Sequence, residues 1–224
     1  MSDAGNRFSL QGIARYLADA VRASVADPPA PVMIAVGGPG GAGKSAVCRA
    51  LTAELGNAAV LKLDNYRRPR AEREAAGLPG SHPKANRLNL LADHLEKLKH
   101  RYTIRPPHYD EVNGEVGAGD DFPPRQYTLL DGEHSFHPAL SPLVDFLIFV
   151  EARWTLLYDT RLSRDRTLRG YDRAKALRVF IQSNIGDYRH HLLPQRHRAN
   201  IIIKRHADGF SIEHTPQGAP HARN

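Results

Sequence analysis

Short apolar runs alternate with amphipathic stretches along most of the chain. Each run is bounded by glycine, proline or polar residues, which is the pattern expected for strands that are buried on both faces of a sheet. Five runs fit this description, at residues 32–36, 58–64, 126–132, 143–152 and 199–206.

Apolar residues recur at helical spacing between these runs. They predict amphipathic helices at residues 7–25, 44–55 and 89–100. Residues 153–193 fit helical segments that are broken around Gly170 and Gly186. Because strands alternate with helices, we expect an α/β fold with a central parallel sheet that helices cover on both faces.

Glycine, proline and acidic residues interrupt this alternation between residues 65 and 125. The pattern predicts a small excursion from the sheet at 65–125. The predicted organisation is an N-terminal helix at 1–30, an α/β domain at 31–206 and a polar C-terminal tail at 207–224. The basic residues near the C-terminus are expected to form a solvated end of the chain. They are Lys204, Arg205, His214, His221 and Arg223.

The charge balance bears on the kind of ligand. Lysine and arginine outnumber aspartate and glutamate by 31 to 24, which gives a formal net charge of +7. This excess favours an anionic ligand, with non-specific contact to nucleic acid as the alternative. Cys48 is the only cysteine, which excludes an intrachain disulfide and a thiolate metal cluster. Without a signal-peptide core or a run of 18 apolar residues, the expectation is a cytoplasmic protein with no membrane partner.

Five glycines fall within residues 37–43, between the first predicted strand and the second predicted helix. Gly38 to Ser45 match G-x-x-x-x-G-K-[ST], the phosphate-binding P-loop. Glycines allow successive backbone N–H groups to converge on phosphate oxygens, and the positive end of the following helix adds to the field. A tight turn with a chance lysine is the alternative, which the full motif disfavours. The residues predicted to bind ATP are Gly38, Gly40, Gly41, Ala42, Gly43, Lys44, Ser45 and Ala46.

Within this loop, Lys44 is expected to reach the β- and γ-phosphates and Ser45 to ligate Mg²⁺. Asp131 ends a predicted strand and is a second candidate Mg²⁺ ligand, in competition with Glu133 two residues later. We favour Asp131 because it directly ends the apolar run.

Two further features indicate a kinase that acts on a small molecule. The chain lacks the [NT]-K-x-D segment with which GTPases read guanine. Asp64 follows the second predicted strand, at the edge where open α/β sheets bind ligands. It is a candidate base for the hydroxyl group that attacks the γ-phosphoryl group, and a further candidate near the metal. The alternative is an aspartate that only caps a loop.

An arginine-rich segment occupies residues 153–173. Its six arginines exceed its three aspartates, which favours a mobile lid that neutralises phosphate charge and excludes water. The alternative is a solvated helix face. These arginines are Arg153, Arg161, Arg164, Arg166, Arg169 and Arg173.

The order of these landmarks resembles the uridine kinase and phosphoribulokinase family of P-loop small-molecule kinases. After the P-loop come LDNY, RPPHYD, LLDGEHSF, TRLSRDRTLRG and HRANIIIK, and the likeness spans residues 32–204. The resemblance implies a P-loop NTPase three-layer fold in which the excursion binds the acceptor. It implies that Asp64 is the general base and that Asp131 stands where the family usually has Glu.

The same resemblance implies roles in the lid and in the acceptor pocket. Arg161, Arg164 and Arg169 would reach phosphates or substrate: Arg161 on the nucleotide, Arg164 and Arg169 in catalysis, and Arg169 also on the acceptor. Tyr66 and Tyr109 would line the acceptor pocket. The neighbourhoods of His82 and His108 add them as candidate acceptor contacts. The spacings of the histidines fit no zinc pattern.

The acceptor-reading segments depart from uridine kinases. The F-D-H-P segment that grips ribose is Gly80-Ser81-His82-Pro83 here, the Y-D-F-x-x-H segment reads YDEVNG from Tyr109, and the second arginine of R-G-R is Tyr171. By resemblance, the leading acceptor is a pyrimidine ribonucleoside, and a sugar or sugar phosphate is the alternative. An ATP-binding regulatory protein or a nucleic-acid-associated ATPase is the alternative of another class, which Asp64 argues against. A homo-oligomer, either a dimer or a tetramer, is compatible with the sequence.

Overall fold

The computed structural model describes residues 7–25, 28 and 30–213. Within them the strands are β1 Val32–Gly37, β2 Ala58–Lys62, β3 Pro107–Tyr109, β4 Val116–Ala118, β5 Tyr127–Asp131, β6 Phe146–Ala152, β7 Ile201–His206 and β8 Gly209–Glu213. One sheet has the order β2-β5-β1-β6-β7-β8, and β3 and β4 form a separate antiparallel pair. The five predicted strands are confirmed, and neighbouring pairs among them are parallel.

The helices are α1 Leu10–Ser24, α2 Lys44–Leu55, α3 Arg70–Ala75, α4 Leu88–Lys99, α5 Trp154–Thr167 and α6 Arg173–Phe180. A π-helix, Ile181–Leu192, continues directly from α6. Among the residues that the structure describes, no helix is long and apolar enough to cross a membrane.

The side chains of β1 alternate between the two faces of the sheet, as the period of a strand requires. Ile34 and Val36 pack in the cluster that contains residues of α1, α2, α5 and α6. Met33 packs on the other face with Leu91 and Leu95 of α4. The sheet is therefore covered on both faces, and the predicted three-layer α/β fold is confirmed.

The predicted boundaries of the excursion need correction. Residues 65–125 contain α4, whose apolar face is fully buried against the sheet. The segments that leave the sheet are therefore two: residues 63–87, which include α3, and residues 100–126, which include the β3–β4 hairpin.

Two other predictions were wrong. The chain does not become a polar tail at residue 207, because β8 pairs antiparallel with β7 and buries Phe210 under α1; residues 214–224 lie outside the described residues. The helical run breaks at Gly170, as predicted, but not at Gly186, which lies inside the π-helix.

Candidate active site

One cleft of about 1010 Å³ opens at the carboxyl ends of the parallel strands. The P-loop, the segments that follow β2 and β5, the β3–β4 hairpin and the lid all contribute to its walls. The predicted residues that line it are Gly40, Gly41, Gly43, Lys44, Ser45, Ala46, Asp64, His108, Tyr109, Asp131, Arg161, Arg164 and Arg169. The predicted site therefore comes together at one place, although its members are spread over about half of the chain.

The P-loop glycines are required partly by the packing of the protein itself. A Cβ atom on Gly38, whose φ is +140°, would overlap the carbonyl oxygen of Val150 on β6. A Cβ atom on Gly40 would overlap the guanidinium group of Arg161. The loop therefore approaches the backbone of β6 at a distance that only glycine allows at Gly38, and a side chain at Gly40 would displace the guanidinium group of Arg161. Gly38 and the fully buried Ala42 lie behind the cleft wall.

Lys44 lies inside the curve of the loop. Its Nζ donates to the carbonyl oxygen of Gly38 at 2.8 Å and to that of Pro39 at 3.0 Å. Burial lowers the pKa of Lys44 from its ordinary value, while the negative charges of Glu133, Asp131 and Asp64 act in the opposite direction. Three carboxylates therefore surround the lysine that is expected to bind phosphate.

Asp131 and Ser45 form the oxygen-rich side of the site. Ser45 and Asp131 line the same wall of the cleft. Burial and the nearby negative charge of Asp64 raise the pKa of Asp131, although the Ser45 hydroxyl and the charge of Lys44 oppose this. A hydroxyl beside a carboxylate is a donor set that suits Mg²⁺. Glu133 lies in the same wall, 3.9 Å from Arg161, so both carboxylates remain candidates.

Asp64 lies in a 3₁₀ turn, Leu63–Tyr66, that follows β2 directly. Its Oδ1 is 2.7 Å from Nη2 of Arg67. Burial by itself would raise the pKa of Asp64, but the positive charges of Arg67, Lys44, Arg164 and Arg169 outweigh burial, and the pKa is lowered. Asp64 is therefore held as a carboxylate between the P-loop and the lid.

A single buried carboxylate organises the lid. Asp165 is fully buried, and its oxygens lie 3.0 Å from Nε of Arg161, 3.1 Å from Nη1 of Arg169 and 3.6 Å from Nε of Arg164. Arg169 also pairs with Glu111, at the tip of the β3–β4 hairpin, at 3.0 Å. The lid and the hairpin therefore meet across the mouth of the cleft.

Arginines surround Tyr109 on the acceptor side. The buried guanidinium group of Arg73 donates to the Tyr109 hydroxyl at 2.8 Å and to the carbonyl of Arg68 at 3.0 Å. The guanidinium carbon of Arg67 lies 5.9 Å from the centre of the Tyr109 ring. Within the described part of the chain, Nε of Arg67 is buried and has no hydrogen-bond partner.

Two predicted acceptor contacts lie elsewhere. Tyr66 is 1% exposed, packs in the core beneath the sheet and hydrogen-bonds to His94 at 2.8 Å, so its predicted place in the acceptor pocket is wrong. The 3₁₀ turn rotates Tyr66 inward while Asp64 faces the cleft. The side chain of His82 lies outside the cleft walls, where it accepts from the Lys84 amide and stacks edge-on against His191 with ring centres 4.9 Å apart.

Sequence reasoning missed four residues of the site. Arg67 follows Asp64 by three residues, and helical spacing after Asp64 was a signal that could have found it. Arg73 and Asn184 had no local signal. Arg205 was predicted to be part of a solvated end, which is wrong, because it lines the cleft and donates to the carbonyl of Gly41 at 3.1 Å.

Comparison with known proteins identifies the family to which the chain belongs. Residues 33–209 match the model of the Phosphoribulokinase / Uridine kinase family. The chain belongs to this family. That match covers most of the chain and confirms the resemblance that the sequence landmarks indicated.

The family's individual members differ in the acceptor that they are named for. The chain is 28% identical over 177 residues to a phosphoribulokinase from Synechocystis sp., which covers 77% of this chain and 53% of the relative. It is 29% identical over 185 residues to a uridine kinase from Alkaliphilus metalliredigens, which covers 80% of this chain and 89% of the relative. The chain therefore spans only about half the length of the phosphoribulokinases that it matches.

Solved structures give the same fold. A Silicibacter sp. protein assigned as a fructose transport system kinase superposes with a TM-score of 0.70 at 20% identity, over 79% of this chain and 92% of that one. At this identity the likeness establishes the fold and leaves the substrate of this family member undetermined.

Proposed function

We propose that this protein is an ATP-dependent kinase that phosphorylates a hydroxyl group of a small anionic metabolite, with a sugar phosphate as the leading acceptor. The observation that carries the proposal is the position of Asp64, in one cleft between the Lys44 side and the arginines around Tyr109. A hydroxyl group held at Asp64 would face the end of a nucleotide bound at the P-loop.

The residues of the cleft divide the work of phosphoryl transfer, which is mostly positioning and electrostatics. The P-loop amides and Lys44 bind the phosphates of ATP. Ser45 with Asp131 or Glu133 holds Mg²⁺, which when bound supplies positive charge to the phosphate oxygens. Arg164 and Arg169 neutralise charge that develops during transfer.

Asp64 orients the acceptor hydroxyl and accepts its proton. Its lowered pKa keeps it ionised at neutral pH, so it is always ready to accept a hydrogen bond. A carboxylate of low pKa is a weak base. Such a base suffices in phosphoryl transfer, because the loose transition state asks for little proton transfer before the phosphoryl group has moved.

The positive charge around Tyr109, on the side of the cleft where the acceptor is expected, supports an anionic acceptor. The side-chain and backbone groups to which Arg73 donates are neutral, so those bonds leave its positive charge uncompensated. Arg67, whose guanidinium carbon lies 5.9 Å from the centre of the Tyr109 ring, pairs with Asp64 through Nη2, while its buried Nε has no hydrogen-bond partner among the described residues. Guanidinium groups bind phosphate and carboxylate with charge-assisted hydrogen bonds. A phosphate or carboxylate on the acceptor would satisfy both residues.

The leading sequence-based alternative, a pyrimidine ribonucleoside, has less support. Ser81 stands where the resemblance leads one to expect the aspartate that grips ribose. Its hydroxyl is committed to a hydrogen bond with Asp187 of the π-helix, and the residue is 9% exposed. A ribose would therefore lose a partner that uridine kinases are expected to provide, which costs discrimination.

A screen for acceptor-dependent ADP release tests the proposal. The panel contains uridine, cytidine, free sugars, the corresponding sugar phosphates and small hydroxy acids, with Lys44→Ala as the inactive control. We expect an anionic acceptor to exceed its uncharged counterpart by about 100-fold or more in kcat/KM, since two charge-assisted contacts are lost together. Activity confined to uridine and cytidine would overturn the anionic acceptor. ATP hydrolysis that nucleic acid stimulates without any small acceptor would overturn the kinase.

A further inference from the structure

The four successive carbonyl oxygens of residues 38–41 all accept hydrogen bonds from side chains. Lys44 binds the first two, Nδ2 of Asn184 donates to Gly40 at 2.7 Å, and Nη1 of Arg205 donates to Gly41 at 3.1 Å. Asn184 lies on the π-helix and Arg205 on β7, so both approach the loop from outside its sequence motif.

We propose that Asn184 and Arg205 are positioning residues that hold the P-loop backbone in its phosphate-binding conformation and thereby set the affinity for ATP. This inference rests on the proposed function only for nucleotide binding, and it is independent of the identity of the acceptor.

The geometry of the peptide unit gives the mechanism. The carbonyl of one residue and the N–H of the next lie in one rigid plane and point in opposite directions. When Asn184 holds the carbonyl of Gly40 outward, the N–H of Gly41 is aimed the other way. Gly41 itself lines the cleft. Fixing the carbonyl therefore fixes the direction of an amide that is expected to meet phosphate.

Arg205 acts on the next peptide unit in the same way. It holds the carbonyl of Gly41, and the N–H of Ala42 in that plane donates to the carbonyl of Pro39 at 3.2 Å. That bond closes the turn of the loop. The stem of Arg205 also packs against Gly43, where a Cβ atom would stand 3.2 Å from Cδ of the arginine. Its guanidinium charge adds to the positive field at the cleft.

The orientation of the Asn184 amide is determined by its neighbours. Arg161 can only donate, so the oxygen of Asn184 must face Nη1 of Arg161, at 3.1 Å, and the nitrogen must face Gly40. Asn184 is 1% exposed, so water does not compete for either bond. Asn184 thus connects the P-loop to the lid arginine that Asp165 also holds.

Binding of a fluorescent ATP analogue with Mg²⁺, measured without any acceptor, tests the inference. The variants are Asn184→Leu, Asn184→Asp and Arg205→Ala. We expect each to raise the Kd about tenfold, which corresponds to about 1.4 kcal/mol. Asn184→Asp separates the two bonds of Asn184, because a carboxylate still accepts from Arg161 but cannot donate to Gly40.

Two matched controls distinguish positioning from a general loss of structure. Asn86→Leu removes another buried asparagine whose amide donates to carbonyls, those of Gly80 and His82 on the acceptor side. Arg22→Ala removes another arginine that donates to one carbonyl, that of Glu54 at 2.7 Å, away from the cleft. Both controls should leave the Kd for the nucleotide within twofold of the unmodified protein. In steady-state assays the Arg205→Ala variant should raise KM for ATP while KM for the acceptor stays constant.

Several outcomes would overturn the inference. Variants at both positions that bind the nucleotide within twofold of the unmodified protein would exclude the positioning role. An Asn184→Asp protein that binds normally while Asn184→Leu binds weakly would show that Asn184 acts through Arg161 instead of Gly40. If Asn184→Leu does not fold, the aspartate and Arg205 variants decide the question. An unmodified protein that binds no ATP would refute the proposed function, and with it the inference.

Discussion

The carboxylate of Asp165 lies 3.1 Å from the guanidinium group of Arg169, and the residue has no surface exposed to solvent. The same carboxylate holds Arg161 at 3.0 Å. A buried carboxylate is stable only when cations or donors surround it, so this group and the lid arginines stabilise one another. The geometry of the arginine lid therefore depends on an acidic residue inside it.

Replacing Asp165 with asparagine should destabilise the protein and inactivate it. The arginines would lose their buried counter-charge, and breaking a buried pair in this way costs about 3–5 kcal/mol. Chemical denaturation measures the loss. Asp172→Asn is the matched control, because Asp172 caps α6 by accepting from the Lys175 amide, and asparagine caps equally well. Equal stability of the two variants would contradict the organising role of Asp165.

Glu111→Gln should strengthen the binding of an anionic acceptor. Glu111 pairs with Arg169 at the cleft mouth and therefore competes with a substrate anion for the same guanidinium group. The Glu111 side chain is 47% exposed, so the pair is worth no more than about 1 kcal/mol, and KM for the acceptor should fall by up to about fivefold. The fall should be largest at low ionic strength. An increased KM would mean that Glu111 positions Arg169 and does not compete for it.

Asp64→Asn should reduce turnover and leave nucleotide binding nearly unchanged. The amide keeps the size of the side chain but cannot accept the acceptor proton, and loss of a general base costs about 10²–10⁴-fold in kcat. Rapid-mix ADP release gives kcat, and the fluorescent nucleotide gives Kd. Turnover equal to that of the unmodified protein would rule out Asp64 as the base.

Arg67→Gln should move the acid limb of the kcat profile to higher pH. Arg67 is the first of the positive charges that lower the pKa of Asp64, so removing it raises that pKa. Asp64 then takes up a proton at higher pH, and activity at mildly acidic pH is lost sooner. Arg70→Gln is the control, since Arg70 donates to the carbonyls of Glu111 and Val112. An unmoved acid limb in Arg67→Gln would assign that limb to another group.

Gly38→Ala should destabilise the fold more than a typical surface change. Its Cβ atom would overlap the carbonyl of Val150, and φ is +140°, so overpacking and backbone strain add, each costing roughly 1–3 kcal/mol. Gly117→Ala on β4 is the control, because its Cβ atom would meet nothing within 4 Å. Thermal unfolding compares the two. Equal midpoints would show that the P-loop can shift away from β6 at little cost.

Local patterns were sufficient to predict the layers of this fold. The apolar runs found all five parallel strands, since buried strands need continuous apolar residues. They missed β8, because its sequence, GFSIE, has only two large apolar residues and was read as part of a polar tail. They also placed α4 in an excursion, although its apolar stripe was itself a correct prediction of a helix that packs on a core.

The sequence by itself determined the P-loop, the position of Asp64 after its strand and the charge of the lid, because each depends on residues that are close together in the chain. Tertiary structure decided the rest. It turned Tyr66 into the core, gathered Arg67 and Arg73 around Tyr109, and brought Asn184 and Arg205 to the carbonyls of the P-loop. These contacts join residues up to 164 positions apart, and a hydrogen bond leaves no periodic pattern at such separations. Only the packing of the π-helix, and of β7 two strands away from β1 in the sheet, brings Asn184 and Arg205 to the P-loop.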